Sequence, residues 1–175
     1  MSCVLATARL DLVPATTERL RSELRSPSAL AEALSARVPS DWPPELYDRA
    51  AAQWWLAAYE RDEEPGCWGP YYFVLRRPEG ARVAVGVGGF KGAPREGTLE
   101  IGYSVLVPWQ RQGIASEAVG GLLALAFATP CVARVVAETL PERAASIAVL
   151  RRHGFAPGGA GAAPGVLRFA RERPA

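Results

Sequence analysis

"EIGYSVLVPWQRQGIASEAV", residues 100–119, changes character twice along its length. Apolar Ile101, Tyr103 and Val105 alternate with Glu100, Gly102 and Ser104, as in a strand that turns one face to a core. The polar stretch "PWQRQ" ends that pattern, and a helix is expected from about Gly113 to Ala128. Glycine is a poor choice for the first turn of a helix if helix stability is all that matters. It suits a different task. The first N–H groups of a helix lack intrahelical partners and carry the positive end of the dipole, and a missing side chain lets an anion approach the backbone. Gly113 reads as room for a diphosphate where a strand passes into a helix.

The flanking sequence supplies the other layers. "ARLDLV", closed by Pro14, alternates as a strand does, while "TTERLRSEL" and "PSALAEALSARV" space their leucines three to four apart. After the break "PSDWPPE" a helix resumes in "LYDRAAAQWWLAAYERD", and the turn "EEPGCWGP" leads into strands. "YYFVLRR" and "RVAVGVGGF" flank "PEG" as hairpin strands would, with "TLEIGYSVLV" the third of the run. A strand "ARVVAETL", a helix "ERAASIAVLRRH" closed by Gly154, and two tail strands around a glycine-rich loop complete the order. No linker or repeat divides it, so one α/β (α+β) domain over residues 1–175 is expected.

Composition narrows the class. The chain has 175 residues, about half of them apolar, enough to bury a sizeable core. It holds no apolar run of transmembrane length, and "MSCVLATARLDLV" lacks the basic-then-apolar order of a secretion signal, so a cytoplasmic location is expected. A formal charge of +2, with arginines scattered and Lys91 the sole lysine, argues against nucleic acid. Cys3, Cys67 and Cys131 are odd in number and far apart, and only one histidine accompanies them, which disfavours a disulfide scaffold and a metal site.

The spacing Gln110-Arg111-Gln112-Gly113-Ile114-Ala115 resembles the Q/R-x-x-G-x-G/A signature for acetyl-coenzyme A in the GNAT acyltransferase superfamily. "EIGYSVLVPWQRQGIASEAV" is similar to the superfamily's fourth strand, loop and third helix, in order and spacing. Further on, "AETLPERAASIAVLRRHGF" resembles the fifth strand and following helix of the RimJ/RimL-like branch, the ribosomal-protein N-terminal acetyltransferases. Pro141, Ala145, Ser146, Val149, Leu150, Gly154 and Phe155 match it. "TARLDLVPAT" is similar to that branch's first strand. Arg143 departs from the pattern, standing where the branch usually has an asparagine that orients the coenzyme; an arginine can instead reach a phosphate. The resemblance spans about Thr7 to Arg171 and is poor between Ala15 and Pro70. It implies a GNAT fold: a mixed, mostly antiparallel sheet of about six or seven strands flanked by helices and splayed between the fourth and fifth strands.

The implied activity is direct transfer of an acetyl group from acetyl-CoA, the only co-substrate, to a primary amine on a protein N-terminus or a small molecule. A homodimer is a family-level expectation, and neither nucleic acid nor membrane is a partner. The backbone of Gln112, Gly113, Ile114, Ala115 and Ser116 is assigned to the diphosphate, supported by Gln110 and Arg111. The pantetheine arm would pair with the strand end at Val105, Leu106 and Val107, and Arg143 and Ser146 would flank the coenzyme. The amine arrives protonated and needs a base: Glu100 comes first, by its face of the strand, and Glu138 second. Many superfamily members protonate the departing thiolate with a tyrosine where this chain has Leu150, so Ser146 is the hydroxyl left for that role.

Plainer readings stand beside these. Either glutamate suits a strand carboxylate paired with an arginine or facing water, and Ser146 suits a helix-start serine that bonds backbone. His153, next to Gly154, fits a helix end rather than catalysis, and Cys131 fits buried packing. Trp42, Trp54, Trp55, Trp68, Tyr71 and Tyr72 fall in the part least like the family; they line an amine pocket or, better for most, pack the core. At the level of function the alternatives are a small-molecule acetylase, a non-catalytic acyl-CoA sensor on a degenerate GNAT domain, and an interaction module with no ligand.

Overall fold

A computed structural model describes residues 4–61 and 66–174, so Cys3 and part of the expected "EEPGCWGP" turn lie outside it. Eight strands form one sheet in the order β1-β2-β3-β4-β5-β6-β8-β7. They are β1 Leu5–Ala6, β2 Leu10–Pro14, β3 Pro70–Arg76, β4 Arg82–Phe90, β5 Thr98–Val105, β6 Arg134–Thr139, β7 Ala156–Ala160 and β8 Leu167–Glu172. The strand beyond the expected number is β1, a two-residue piece folded back on β2. Every pairing is antiparallel except β5 with β6. The helices are α1 Thr17–Arg25, α2 Pro27–Leu34, α3 Arg49–Glu60, α4 Ile114–Ala128 and α5 Ala144–Arg152.

Apolar periodicity explains the two layers. Val13, Tyr72, Val74 and Val87 turn to one side of the sheet and pack with Leu20 and Leu30 of α1 and α2 and Ala52 and Tyr59 of α3. Leu12, Phe73, Val85, Leu99 and Ile101 turn to the other and pack with Val119 and Leu122 of α4 and Leu150 of α5. The middle strands β3 and β4 are covered on both faces, so they read as near-continuous apolar runs rather than alternating ones. Of the six aromatics offered as pocket walls, Tyr71 and Tyr72 are fully buried, Trp42 packs on Tyr72 and Trp68 on Phe90, and Trp54 is exposed. Cys131 is exposed rather than buried, because it falls in the turn between α4 and β6 and not inside either element.

Two details position the site. The parallel pairing of β5 with β6 stops at Ile101↔Ala137, so Gly102–Val105 pair only with β4 while Glu138 and Thr139 pair only with β8. The sheet splays there. The second detail is capping. Thr16, Ser26 and Asp48 cap α1, α2 and α3 with their own side chains, whereas α4 and α5 begin at Gly113 and Arg143 with no side-chain cap. Both uncapped starts face the splay.

Candidate active site

A cavity of about 720 Å³ opens at the splay, with Gly113–Ser116 on one side and Glu138 and Ser146 on the other. Strand β5 ends at Val105, two residues earlier than expected, because Val107–Trp109 wind into a 3₁₀ turn. Val105 lines the cavity, but its carbonyl already accepts from Gln110 Nε2 at 2.9 Å. Leu106 is buried, with its N–H donating to the Val85 carbonyl, and Val107 is exposed. Neither of these two lines the cavity, so of the three residues expected to pair with a pantetheine arm only Val105 reaches it.

The loop itself bends sharply. Arg111 and Gly113 are left-handed, at φ +60° and +78°, which turns the chain sharply into α4. Among the described residues no acceptor is found for the N–H groups of Gln112, Gly113, Ile114, Ala115 or Ser116. Donors left free at a helix start suit an anion. Gln112 is turned away from the cavity, its Nε2 donating to the Pro108 carbonyl at 2.8 Å, whereas Gln110 and Arg111 border the cavity. Ser116 Oγ lies 3.0 Å from His153 Nε2, so the histidine ties the end of α5 to the start of α4. Burial, against the bond to Ser116 and with Arg171 and Arg152 nearby, pushes His153 below its ordinary value.

Arg9 and Glu117, which the sequence pattern did not single out, hold this loop in place. Glu117, in the first turn of α4, accepts from Thr7 Oγ1 (2.5 Å), the Arg9 N–H (2.6 Å) and Arg9 Nε (2.7 Å). Arg9 Nη1 then donates to the Gln112 carbonyl at 3.0 Å. Burial opposes the charge on Glu117, but the Thr7 hydroxyl and the Arg9 N–H and guanidinium hold its carboxyl below the usual value of 4.5. A carboxyl lowered on folding stabilises above its unfolded pKa, and that contribution is lost as pH falls through the folded value. Glu117→Gln is therefore expected to cost about 1–2 kcal/mol near neutral pH. Melting curves should show the difference from wild type shrinking as pH drops below 4.5. A pH-independent difference would assign the loss to packing.

The candidate acid–base residues separate. Glu100 does not line the cavity; its carboxylate is ion-paired to Lys91, the residue just past the end of β4. Glu138 does line it. Arg168 Nε (3.0 Å), Arg168 Nη2 (2.7 Å) and the Ala162 N–H (3.0 Å) all donate to Glu138 Oε1, and among the described residues nothing is bonded to Oε2. Ser146 lies in the first turn of α5 at the cavity wall, its Oγ 3.1 Å from the Tyr103 hydroxyl. Leu150 sits one turn further on and is fully buried in the core as well as bordering the cavity, so no proton donor stands there. Arg143 is also in the wall, but its guanidinium forms a two-pronged pair with Glu45 at 3.0 and 3.1 Å. That pair holds the Glu45 carboxyl below the ordinary range. The Ser104 hydroxyl donates to the Glu45 carbonyl, so the segment before α3 is tied across the mouth from both sides of the splay.

Comparison with known proteins bears on the whole arrangement. A family model described as an acetyltransferase (GNAT) domain matches residues 9–156. The chain belongs to the GNAT acetyltransferases. Its fold is that GNAT fold, an open mixed sheet with a splay and helices on both faces. Three solved structures share it: a GNAT-family acetyltransferase from Bacillus anthracis (19% identity, 97% of this chain and 98% of that one, TM-score 0.64), an acetyltransferase from Agrobacterium tumefaciens (21%, 97% and 94%, 0.63), and RimJ from Mycobacterium smegmatis in complex with CoA-disulfide (20%, 96% and 86%, 0.62). At these identities the likeness is one of fold. No curated protein matches the GNAT chain in sequence.

Proposed function

We propose that this GNAT protein binds acetyl-CoA and transfers its acetyl group to a primary amine by direct attack. The observation that carries the reading is the meeting, in one cavity, of an uncapped helix start with free N–H groups and a splay that leaves the Gly102–Val105 edge unpaired by a strand. The residues present fit the coenzyme. Gly113–Ser116 offer a diphosphate several donors and the positive end of α4, and a Cβ on Gly113 would lie 3.2 Å from the Arg9 guanidinium. When bound, the coenzyme supplies an activated acetyl thioester.

The chain's own residues then divide the work. Glu138 Oε2, unbonded and in the wall, takes the proton of the incoming ammonium directly or through water; we assign it this role ahead of Glu100, whose carboxylate is engaged by Lys91. Ser146 Oγ–H donates a hydrogen bond to the leaving sulfur. A thiol has a pKa of about 8.5, so a thiolate leaves more readily than an alkoxide and needs only modest help. Ser146→Ala is therefore expected to lower the turnover number by about 10-fold, at or below the low end for a positioned donor. Unchanged turnover, or equal losses in coenzyme binding and turnover, would make Ser146 a capping or binding residue.

The experiment that tests the function is acceptor-dependent release of free thiol from acetyl-CoA across a panel of polyamines, amino acids, aminoglycosides and N-terminal peptides. Release with one acceptor class names the substrate. Coenzyme binding without release in any class favours the sensor reading.

A further inference from the structure

The geometry points to Tyr103 as a positioning residue that fixes the Ser146 hydroxyl so that its proton faces the coenzyme sulfur. This rests on the acetyl-transfer reading above. Tyr103 lies two positions beyond Ile101, the last β5 residue paired with β6, so it stands on the splayed part of the strand. Its side chain packs toward α4 and α5, on the face opposite Glu100 and Ser104. From there the hydroxyl reaches the first turn of α5, 3.1 Å from Ser146 Oγ and 3.3 Å from the Ser146 carbonyl oxygen. The two residues are 43 positions apart in the chain and both border the cavity. The backbone beneath Tyr103 has little freedom. Gly88 of β4 pairs with it so closely that a Cβ there would come within 2.7 Å of Tyr103 Cα.

A serine hydroxyl has one proton and rotates freely unless something fixes it. When Tyr103 donates to Ser146 Oγ, it occupies a lone pair of that oxygen and leaves the serine proton to point into the cavity. Burial, partly offset by the bond to Ser146, raises Tyr103 above 10.0, so the phenol stays a donor at working pH. In the reaction Glu138 first relays one proton of the ammonium to solvent; the free amine nitrogen then bonds to the acetyl carbon, and its second proton passes to Glu138 as the amide forms. The carbon–sulfur bond breaks with its electron pair on sulfur. Ser146 Oγ–H holds the thiolate by a hydrogen bond, itself polarised by Tyr103, and the proton released from Glu138 through solvent completes the free thiol. Tyr103 touches none of the reacting atoms.

Coenzyme A with a free thiol is the probe, because its ionisation reports the hydrogen bond without any acceptor. Its affinity, measured from pH 7 to 9, should rise in the wild type as the thiolate forms, to about tenfold tighter than the thiol, which is one pKa unit. Carboxylates and guanidinium groups ordinarily titrate outside that window, and burial pushes His153, bonded to Ser116, below its ordinary value and so away from it. Acetyl-CoA has no thiol and serves as the control, with affinity independent of pH. Tyr103→Phe should bind acetyl-CoA as the wild type does and lose most of the pH dependence for free coenzyme. Ser146→Ala should do the same, and the double variant should lose no more than either single one. Wild-type pH dependence in Tyr103→Phe, or additive losses in the double variant, overturns the role of Tyr103 and leaves acetyl-CoA binding standing. Absence of acetyl-CoA binding in the wild type overturns both readings.

Discussion

Gly113→Val is expected to abolish most of the thermal stabilisation that acetyl-CoA confers. A ligand that binds only the folded state at 100 times its Kd adds about 2.7 kcal/mol, which for a chain of this size raises Tm by about 5–10 °C. Gly113 is at φ +78°, where a β-branched side chain is a steric outlier, and its Cβ would press on the Arg9 guanidinium at 3.2 Å. The loop must therefore shift, and the N–H groups of Gly113, Ile114, Ala115 and Ser116 lose their common aim. Because the loop is exposed and α4 is anchored by Ile114, Val119 and Leu122 in the core, the variant should still fold. The check is a pair of melting curves, with and without millimolar acetyl-CoA, for each protein. An equal shift in both would make the glycine structural only, and no shift in the wild type would remove the coenzyme from the account.

Glu138→Gln is the second large effect, a fall of about 10²–10⁴-fold in kcat with little change in acetyl-CoA affinity. The amide keeps the shape and loses the basic oxygen. Glu100→Gln, made at the carboxylate held by Lys91, should leave kcat near wild type. In the wild type the rate should rise with pH as free amine replaces ammonium. Since Glu138 also accepts from Arg168, a melting curve of Glu138→Gln is needed to separate lost chemistry from lost packing. Full activity in Glu138→Gln together with a collapse in Glu100→Gln would restore the role to Glu100.

The choice between these glutamates shows where a linear reading stops. Both sit on strands that meet at the splay, and alternation puts each on the side away from α4 and α5. Their local patterns are equivalent. What separates them is the partner: Lys91 lies directly beside Glu100, whereas Arg168 binds one oxygen of Glu138 and leaves the other for the cavity. Tyr103 was legible only as a core residue because strand alternation records which face a side chain takes, not whether the neighbouring strand has already diverged. Arg143, which by sequence could reach a phosphate, lines the cavity and pairs with Glu45, a residue 98 positions away in the stretch least like the family.

The sequence by itself determined the order of strands and helices, the glycine at the start of α4 and the membership of the chain among the GNAT acetyltransferases. These are local properties: apolar period, turn chemistry and the conformational freedom of one residue act within a few positions of one another. Only the tertiary structure decided which side chains meet in the cavity. The parallel pairing of β5 and β6 ends at Ile101, and beyond that point contacts such as Tyr103 with Ser146 and Arg143 with Glu45 depend on how far two strands diverge. Twist and packing of the whole sheet set that divergence, and no short segment encodes it.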